Sequence, residues 1–389
     1  MNAKQPVRSS GGITGLPPRY CSDPTIFDLE QKHLFPSQWF PIGYESDIAG
    51  NGEHFSFQLL GLDGFCVRDD HDQLHCFRNV CRHRGTQLCP VNSSGLGTVP
   101  EGEPCSDNPT KSSIVCDYHG WKYGLDGRLI AAPHMDNTPG FNRADFSLYP
   151  IRCAKWQGII FAQVGAGQDN PTDSLTEILH PLNRIVEPRG LDQFQRKKTI
   201  SYVIQANWKL LFQNFNECYH CPSVHPQLTP LTDYRDAENE FDTGPILGGP
   251  TRIRDDADSV TRDGDYCGPV PDSLVGEELK KAHYYTVSPG FFLSLFPDYV
   301  MVHRLSPLAF NQTKIDCDFL FLPASGLSLP TGATAWEFWD QTNLQDWEMC
   351  ERVQRGISQG NFSPSPYSPL ESLLVKFDQH YRQQIARFE

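Results

Sequence analysis

No stretch of about 18 consecutive apolar residues, the length a membrane span needs, occurs in this chain of 389 residues. Its most apolar late stretch, 291–302, is interrupted by Pro297 and Asp298. The opening MNAKQPVRSSGG has no apolar h-region, so no secretory leader is expected there and a cytoplasmic location is. Positive charge is short as well. Against 47 Asp and Glu stand 33 Lys and Arg, a formal net charge of −14, which argues against the clustered bases of a nucleic-acid footprint. No GxGxxG fingerprint stands between a strand and a helix, so the chain is not expected to bind a nicotinamide itself. The 13 cysteines, an odd number spread from Cys21 to Cys350, are too sparse for a secreted disulfide scaffold, and reduced, mostly buried thiols are expected. What is present is globular: 39% hydrophobic and 12% aromatic residues exclude a disordered chain, and the length suits two domains.

Three textures follow one another. Residues 1–38 read as a loose Gly-, Pro- and Ser-rich arm, over 1–20, and a short helix around Asp28–Phe35. Residues 39–165 show short alternating runs between turn residues, at His54–Leu60, Phe65–Arg68, Leu74–Phe77 and Gly158–Val164, which predict a small all-β domain. Within it, 91–111 carries too little apolar surface to order itself and reads as an exposed insertion loop. Residues 166–389 mix strand-like runs (Lys197–Ala206, Val300–Leu305, Ile315–Leu322) with helical ones (Trp208–Asn216, Thr334–Gly356), the pattern of an α+β domain. In the last of these, Trp336, Trp339, Leu344, Trp347, Cys350 and Val353 approximate an apolar stripe.

Two constellations carry chemistry. NVCRHRGTQLCP holds Cys81 and His83, and VCDYHGWKYGLDG holds Cys116 and His119. Two loops that each supply one thiolate and one imidazole match a Rieske [2Fe–2S] cluster, with two Cys on one iron and two His on the other. Gly85 and Gly120 suit tightly folded loops. A structural Cys₂His₂ zinc site would use the same donors, although it more often pairs Cys with Cys and His with His in sequence. The second constellation lies in NWKLLFQNFNECYHCPSVHP, where His220 and His225 follow a helix-like run and Pro222 breaks a regular helix between them. A His pair with one carboxylate makes the facial triad of non-haem iron. Asp340, Asp346 and Glu348 compete for the third place.

CRHRG followed by C-x-YHGW-x-Y-x-LDGRL, then N-W-K…E-C-Y-H-x₄-H, resembles the Rieske non-haem iron oxygenases of α-subunit type, over most of the chain from Trp39 onward. The resemblance implies a small all-β Rieske domain plus a helix-grip (START-like) catalytic domain with an antiparallel sheet. It places Cys81, His83, Cys116 and His119 on the cluster and His220 and His225 on a mononuclear Fe(II). It selects Asp346 as the third iron ligand, because the acid precedes the C-E-x-V-Q run in QDWEMCERVQRGISQG. It also marks Glu217 as the bridge to a neighbouring subunit's cluster, and Asn214 and Tyr219 as residues beside the iron. A carboxylate at 217 can in any case orient imidazoles by accepting from their ring N–H groups. Cys89 and Cys105, which sit in the gap between the two loops, are expected as unpaired thiols rather than as a bridge.

The family reading implies a separate NAD(P)H-dependent reductase carrying flavin or an iron–sulfur centre, a homotrimer, and a small-molecule substrate with O2. Glu rather than Asp at 217, in E-C-Y-H-C, looks like the branch acting on quaternary ammonium compounds. The leading expectation is hydroxylation and N-demethylation of a betaine- or carnitine-like substrate. Tyr284, Tyr285, Phe291, Phe292, Phe296 and Tyr299 could face its cation, or simply be core. A choline-type monooxygenase and an aromatic ring-hydroxylating dioxygenase would use the same metal centres, whereas a plain electron carrier would have no use for His220, His225 and Asp346.

Overall fold

The computed structural model describes residues 15–89, 112–165, 174–323 and 332–389. The expected loop at 91–111, and residues 1–14 of the expected arm, lie outside the described residues. From residue 15 the chain is not loose. Leu16 and Tyr20 are buried, and Arg19 pairs with Glu389 at 2.8 Å. Helices α1 (Arg19–Ser22) and α2 (Pro24–Leu29) meet at Asp23, whose side chain caps Thr25 N–H while Pro24 opens the second helix. A π-helical turn over Glu30–Leu34 follows, not the plain helix expected there. It places the Glu30 carboxylate, wholly buried, 2.6 Å from Lys209 Nζ, 3.0 Å from Trp208 Nε1 and 2.5 Å from Tyr381 Oη.

Among the described residues nine short strands follow: β1 (Phe40–Tyr44), β2 (His54–Leu59), β3 (Leu62–Arg68), β4 (Leu74–Arg78), β5 (Ser113–Val115), β6 (Lys122–Gly124), β7 (Leu129–Ala131), β8 (Pro150–Trp156) and β9 (Ile159–Gln163). Six form one sheet in the order β1-β9-β8-β4-β3-β2, and β5-β6-β7 form a small second one. Two hairpins close on two residues in the left-handed region, Leu60–Gly61 (φ 52 and 77) and Gln157–Gly158 (φ 49 and 78). That is the primed turn whose twist matches the flanking strands.

The second half begins with α3 (Leu175–Val186), started by a Ser174/Glu177 capping box. It then builds a seven-stranded antiparallel sheet from β10 (Gln195–Ile204), β11 (Phe241–Thr243), β12 (Ile246–Arg252), β13 (Lys281–Val287), β14 (Phe291–Leu295), β15 (Val300–Ala309) and β16 (Gln312–Phe321), in the order β10-β16-β15-β14-β13-β12-β11. Pro297 and Asp298 fall in the turn between β14 and β15. Helices α4 (Trp208–Phe215) and α5 (Cys221–Val224) follow β10, and α6 (Ala333–Ile357) and α7 (Ser372–Ile385) end the chain. Helix α6 lies across one sheet face. Phe338, Trp339, Asn343, Trp347 and Cys350 are buried beneath it, and Trp339 Nε1 donates to Tyr299 Oη at 2.7 Å. Leu344 and Val353, expected in that stripe, are 53% and 49% exposed, because they sit off the 3–4-residue rhythm of the buried face.

The acids alternating along β16 do not face water. Asp318 is wholly buried and accepts from Arg304 Nε at 2.6 Å, Thr199 Oγ1 at 2.5 Å and Tyr44 Oη at 2.8 Å. Burial would raise its carboxyl, but Arg304 and then Arg196 hold it below the usual carboxylate range. With Arg196–Asp47 at 2.8 Å, this network ties β1 of the first sheet onto the second. The chain is thus α+β, a small antiparallel β unit followed by an antiparallel sheet gripped by a long helix. No helix among the described residues is long and apolar enough to cross a membrane.

Candidate metal centres

The two loops of the first constellation fold alike. Cys81 N–H donates to Thr86 O at 2.7 Å and Gly85 N–H returns to Cys81 O at 3.0 Å; Cys116 N–H donates to Trp121 O at 2.8 Å and Gly120 N–H returns to Cys116 O at 2.9 Å. In each loop the glycine four residues after the cysteine has positive φ (78 and 71), which a side chain would strain. Cys81 and Cys116 are buried free thiols. Cys81 Sγ lies 3.2 Å from Tyr123 Oη, and Tyr123 Oη also accepts Arg82 N–H at 3.0 Å. His83 and His119 face each other with ring centroids 4.5 Å apart, and Trp121 stacks on His83 at 4.8 Å. His83 Nδ1 is buried without a partner, and burial followed by the neighbouring His119 lowers its ring below the usual histidine range.

Two buried thiols and two facing imidazoles on a pair of like-folded loops fit the two-Cys, two-His ligation of a Rieske cluster. Cys89, expected as a free thiol, is disulfide-bonded; Cys105 lies outside the described residues.

The second constellation sits where α4 ends. Asn207 caps α4 and Asn216 closes it. Pro222 does not break a helix, as expected, but opens the single turn α5, with His220 and His225 as its two ends. Their rings meet at 5.1 Å, with Nε2 atoms 3.2 Å apart. Asp346 on α6 completes the group, its Oδ1 3.1 Å from His220 Nε2 and 2.9 Å from His225 Nε2. The rival acids lie elsewhere: Asp340 accepts from Tyr202 Oη at 2.7 Å, and Glu348 is an exposed partner of Arg352. Burial would raise Asp346, but bonds from the two histidines hold it down at about 2. Burial would lower His220, but Asp346 and Glu217 push it up to about 10. The cluster therefore favours a positive charge at its centre, and a binding cation would displace a proton.

Each imidazole is held from behind. Glu217 Oε1 lies 2.5 Å from His220 Nδ1, and its Oε2 accepts the His220 and Tyr219 backbone N–H groups. Gln345 Oε1 lies 2.8 Å from His225 Nδ1. With both Nδ1 atoms engaged, both Nε2 atoms face Asp346, so the donor set fits a facial-triad metal. Asn214 lines the adjoining cavity, whereas Tyr219 is 57% exposed and does not. Sequence reading missed Gln345, for which it carries no signal. It also missed a Cys218–Cys221 disulfide around His220, although the C-x-x-C spacing was visible.

The cavity runs from the triad to the 234–239 loop and the start of α7, and Phe215, Tyr234, Tyr284 and Trp339 give it aromatic walls. Of the six aromatics considered from sequence, only Tyr284 reaches it; Tyr285, Phe291, Phe292, Phe296 and Tyr299 are core, at most 1% exposed. Tyr284 packs edge-on to Phe215 and Trp339 at 6.3 and 6.2 Å. Three carboxylates (Glu217, Glu238, Asp346) and one guanidinium (Arg235) line the cavity.

Known proteins match the stretches of chain that hold both constellations. The family model for the Rieske [2Fe-2S] domain matches residues 38–142, and that for the ring hydroxylating alpha subunit (catalytic domain) matches residues 191–387. The chain is 28% identical to the glycine betaine monooxygenase oxygenase subunit of Chromohalobacter salexigens, over 93% of this chain and 83% of that one. It is 25% identical to the chloroplastic choline monooxygenase of Arabidopsis thaliana, over 93% and 80%. Among solved structures, a quaternary ammonium Rieske monooxygenase described for carnitine oxidation and inter-subunit electron transfer superposes with a TM-score of 0.75 at 19% identity, covering 96% of this chain and 94% of that one.

Proposed function

This chain belongs to the ring-hydroxylating oxygenase α-subunit family and is a Rieske-type oxidoreductase, and from that premise we propose that it is the terminal oxygenase of a quaternary ammonium monooxygenase. Its cofactors are a Rieske [2Fe–2S] cluster and a mononuclear iron. Cys81 and Cys116 would hold one iron of the cluster and His83 and His119 the other, with His220, His225 and Asp346 on the mononuclear iron. When bound, these groups supply one-electron transfer and dioxygen activation.

The chain's own residues do the rest. Glu217 keeps the proton of His220 on Nδ1 and so keeps Nε2 free. Its neighbour Tyr219 opens to solvent, in keeping with Glu217 acting at a contact with a second subunit in a homotrimer. The observation that carries the substrate class is the cavity wall. Phe215, Tyr284 and Trp339 offer aromatic faces to a cation, and Glu238 adds a carboxylate to the same cavity that no metal role claims. Burial pushes the Tyr284 phenol well above its ordinary range, so it stays a neutral donor.

The overall chemistry puts one atom of O2 into an N-methyl C–H bond and the other into water. It consumes two electrons and one proton from NAD(P)H, the electrons passing through a separate reductase in the cytoplasm, and a second proton from solvent. The N-hydroxymethyl product then loses formaldehyde. With reductase and NADH, the protein should release formaldehyde from glycine betaine or a carnitine in step with NADH consumption. Oxidation of choline to its aldehyde level without formaldehyde would move it to the choline-type reaction, and a cis-diol from an aromatic substrate would overturn the reading.

A further inference from the structure

We propose that Gln345 is a positioning residue for the mononuclear iron: it fixes the tautomer and rotation of His225 and does so without adding charge. The inference rests on the iron site proposed above.

His225 is only 1% exposed, and each of its ring nitrogens has defined partners. Nε2 faces Asp346 Oδ1 at 2.9 Å and His220 Nε2 at 3.2 Å, while Nδ1 faces Gln345 Oε1 at 2.8 Å. An amide oxygen can only accept, so Nδ1 keeps its proton, and once a metal displaces the Nε2 proton shared with Asp346 that nitrogen offers its lone pair. A metal needs that tautomer. The reverse one would aim an N–H at it.

What keeps Gln345 from turning its NH2 toward the ring is a chain of donors anchored on a main-chain carbonyl. Phe338 O accepts the hydroxyl proton of Thr342 at 3.0 Å. That hydroxyl has one proton, so its oxygen is left to accept from Gln227 Nε2 at 3.1 Å. Gln227 Nε2 also donates to Gln345 Oε1 at 2.7 Å. With Phe338 O as the anchor, the bonds from His225, Gln227 and Thr342 fit one orientation of the Gln345 amide, at the expense of Gln227 Oε1, which is buried without a partner. Thr342, Gln345 and Asp346 stand at i, i+3 and i+4 on α6, so they share a helical face. One rigid element thus delivers the carboxylate ligand and sets the angle of an imidazole ligand from another loop.

The two histidines are backed differently. His220 leans on a carboxylate, Glu217, and His225 on a neutral amide. Asp346 and Glu217 already match the two charges of a ferrous ion. A third carboxylate would overshoot, whereas an amide supplies the acceptor alone. Outer partners of this kind commonly change metal affinity by about 10- to 100-fold.

The test is anaerobic Fe(II) binding to the purified full chain against a competing chromogenic chelator. The cluster's visible absorption and the thermal midpoint serve as controls for fold. Gln345→Ala and Gln345→Met, the second of which keeps volume without an acceptor, should each weaken Fe(II) binding by about 10- to 100-fold with the cluster spectrum unchanged. Gln345→Glu, which keeps the acceptor, should bind Fe(II) at least as tightly as the wild type. Should Gln345→Ala fail to fold, the Met variant carries the comparison. Wild-type affinity in the Ala or Met variant overturns the inference, and so does an equal loss in the Glu variant, which would mark packing rather than acceptance as the role. A wild-type chain that takes up no Fe(II) overturns the iron site itself and the inference with it.

Discussion

Lys209 stands in the N-W-K signature and is wholly buried, its Nζ 2.6 Å from a Glu30 that is also wholly buried. Replacing both partners of such a pair is often tolerated, but removing one leaves an uncompensated charge at a cost of about 3–5 kcal/mol. Lys209→Met should therefore lower stability by about that much, and Glu30→Gln combined with it should recover part of the loss; thermal or urea unfolding of the wild type and these two variants checks this. A second buried group sets a pH dependence. Burial, reinforced by Arg189, holds His283 down at about 4, below its ordinary value near 6.5. Between those values the unfolded chain binds a proton that the folded one refuses, so stability falls as pH drops through that window, by at most about 3 kcal/mol from this residue. Unfolding midpoints at pH 7, 5.5 and 4.5 should show the fall, and His283→Gln should flatten it.

Elements were legible where a pattern stood alone. The helix near Thr334–Gly356 and the strands at His54, Leu74 and Val300 all lie within a few residues of their observed bounds. What the pattern could not say is which face meets what. Alternating Asp316 and Asp318 look like a solvent face, yet both are buried, Asp318 beneath Tyr44 of the first sheet and Asp316 among Ser201, Arg304 and Lys314. Leu344 looks like core and is exposed. Strands β12 and β13 escaped notice, since Gly248, Gly249 and His283 blur their apolar periodicity. The same held at the site. Spacing and resemblance picked out the four cluster residues and the His220, His225 and Asp346 that the fold gathers, but Gln345 is one more polar residue on a helix until α5 packs against it. Hairpin turns offer a test at this scale. Gln157 occupies a left-handed position (φ 49) ahead of Gly158, where Asn is preferred. Gln157→Asn should raise stability by about 0.5–1 kcal/mol, read as a higher thermal midpoint with the cluster spectrum unchanged.

At the scale of the whole molecule, two metal centres in one chain set a stoichiometry. Metal analysis of protein loaded with both should give about three Fe per chain, two of them from the cluster. Asp346→Ala should lose one of the three and all turnover while keeping the cluster's visible bands, and full activity in that variant would remove Asp346 from its assigned place. Size-exclusion with light scattering at three times the chain mass would support the homotrimer.

The bridge between Cys218 and Cys221 has a bearing on the bench. It closes a staple around the turn that presents His220, so mercaptans, added by habit to protect iron–sulfur preparations, would unclip that turn while leaving the cluster's colour intact. Ascorbate feeds electrons without cutting sulfur from sulfur. Batches purified with and without a mercaptan should then look alike by eye yet differ in how firmly they keep their third iron.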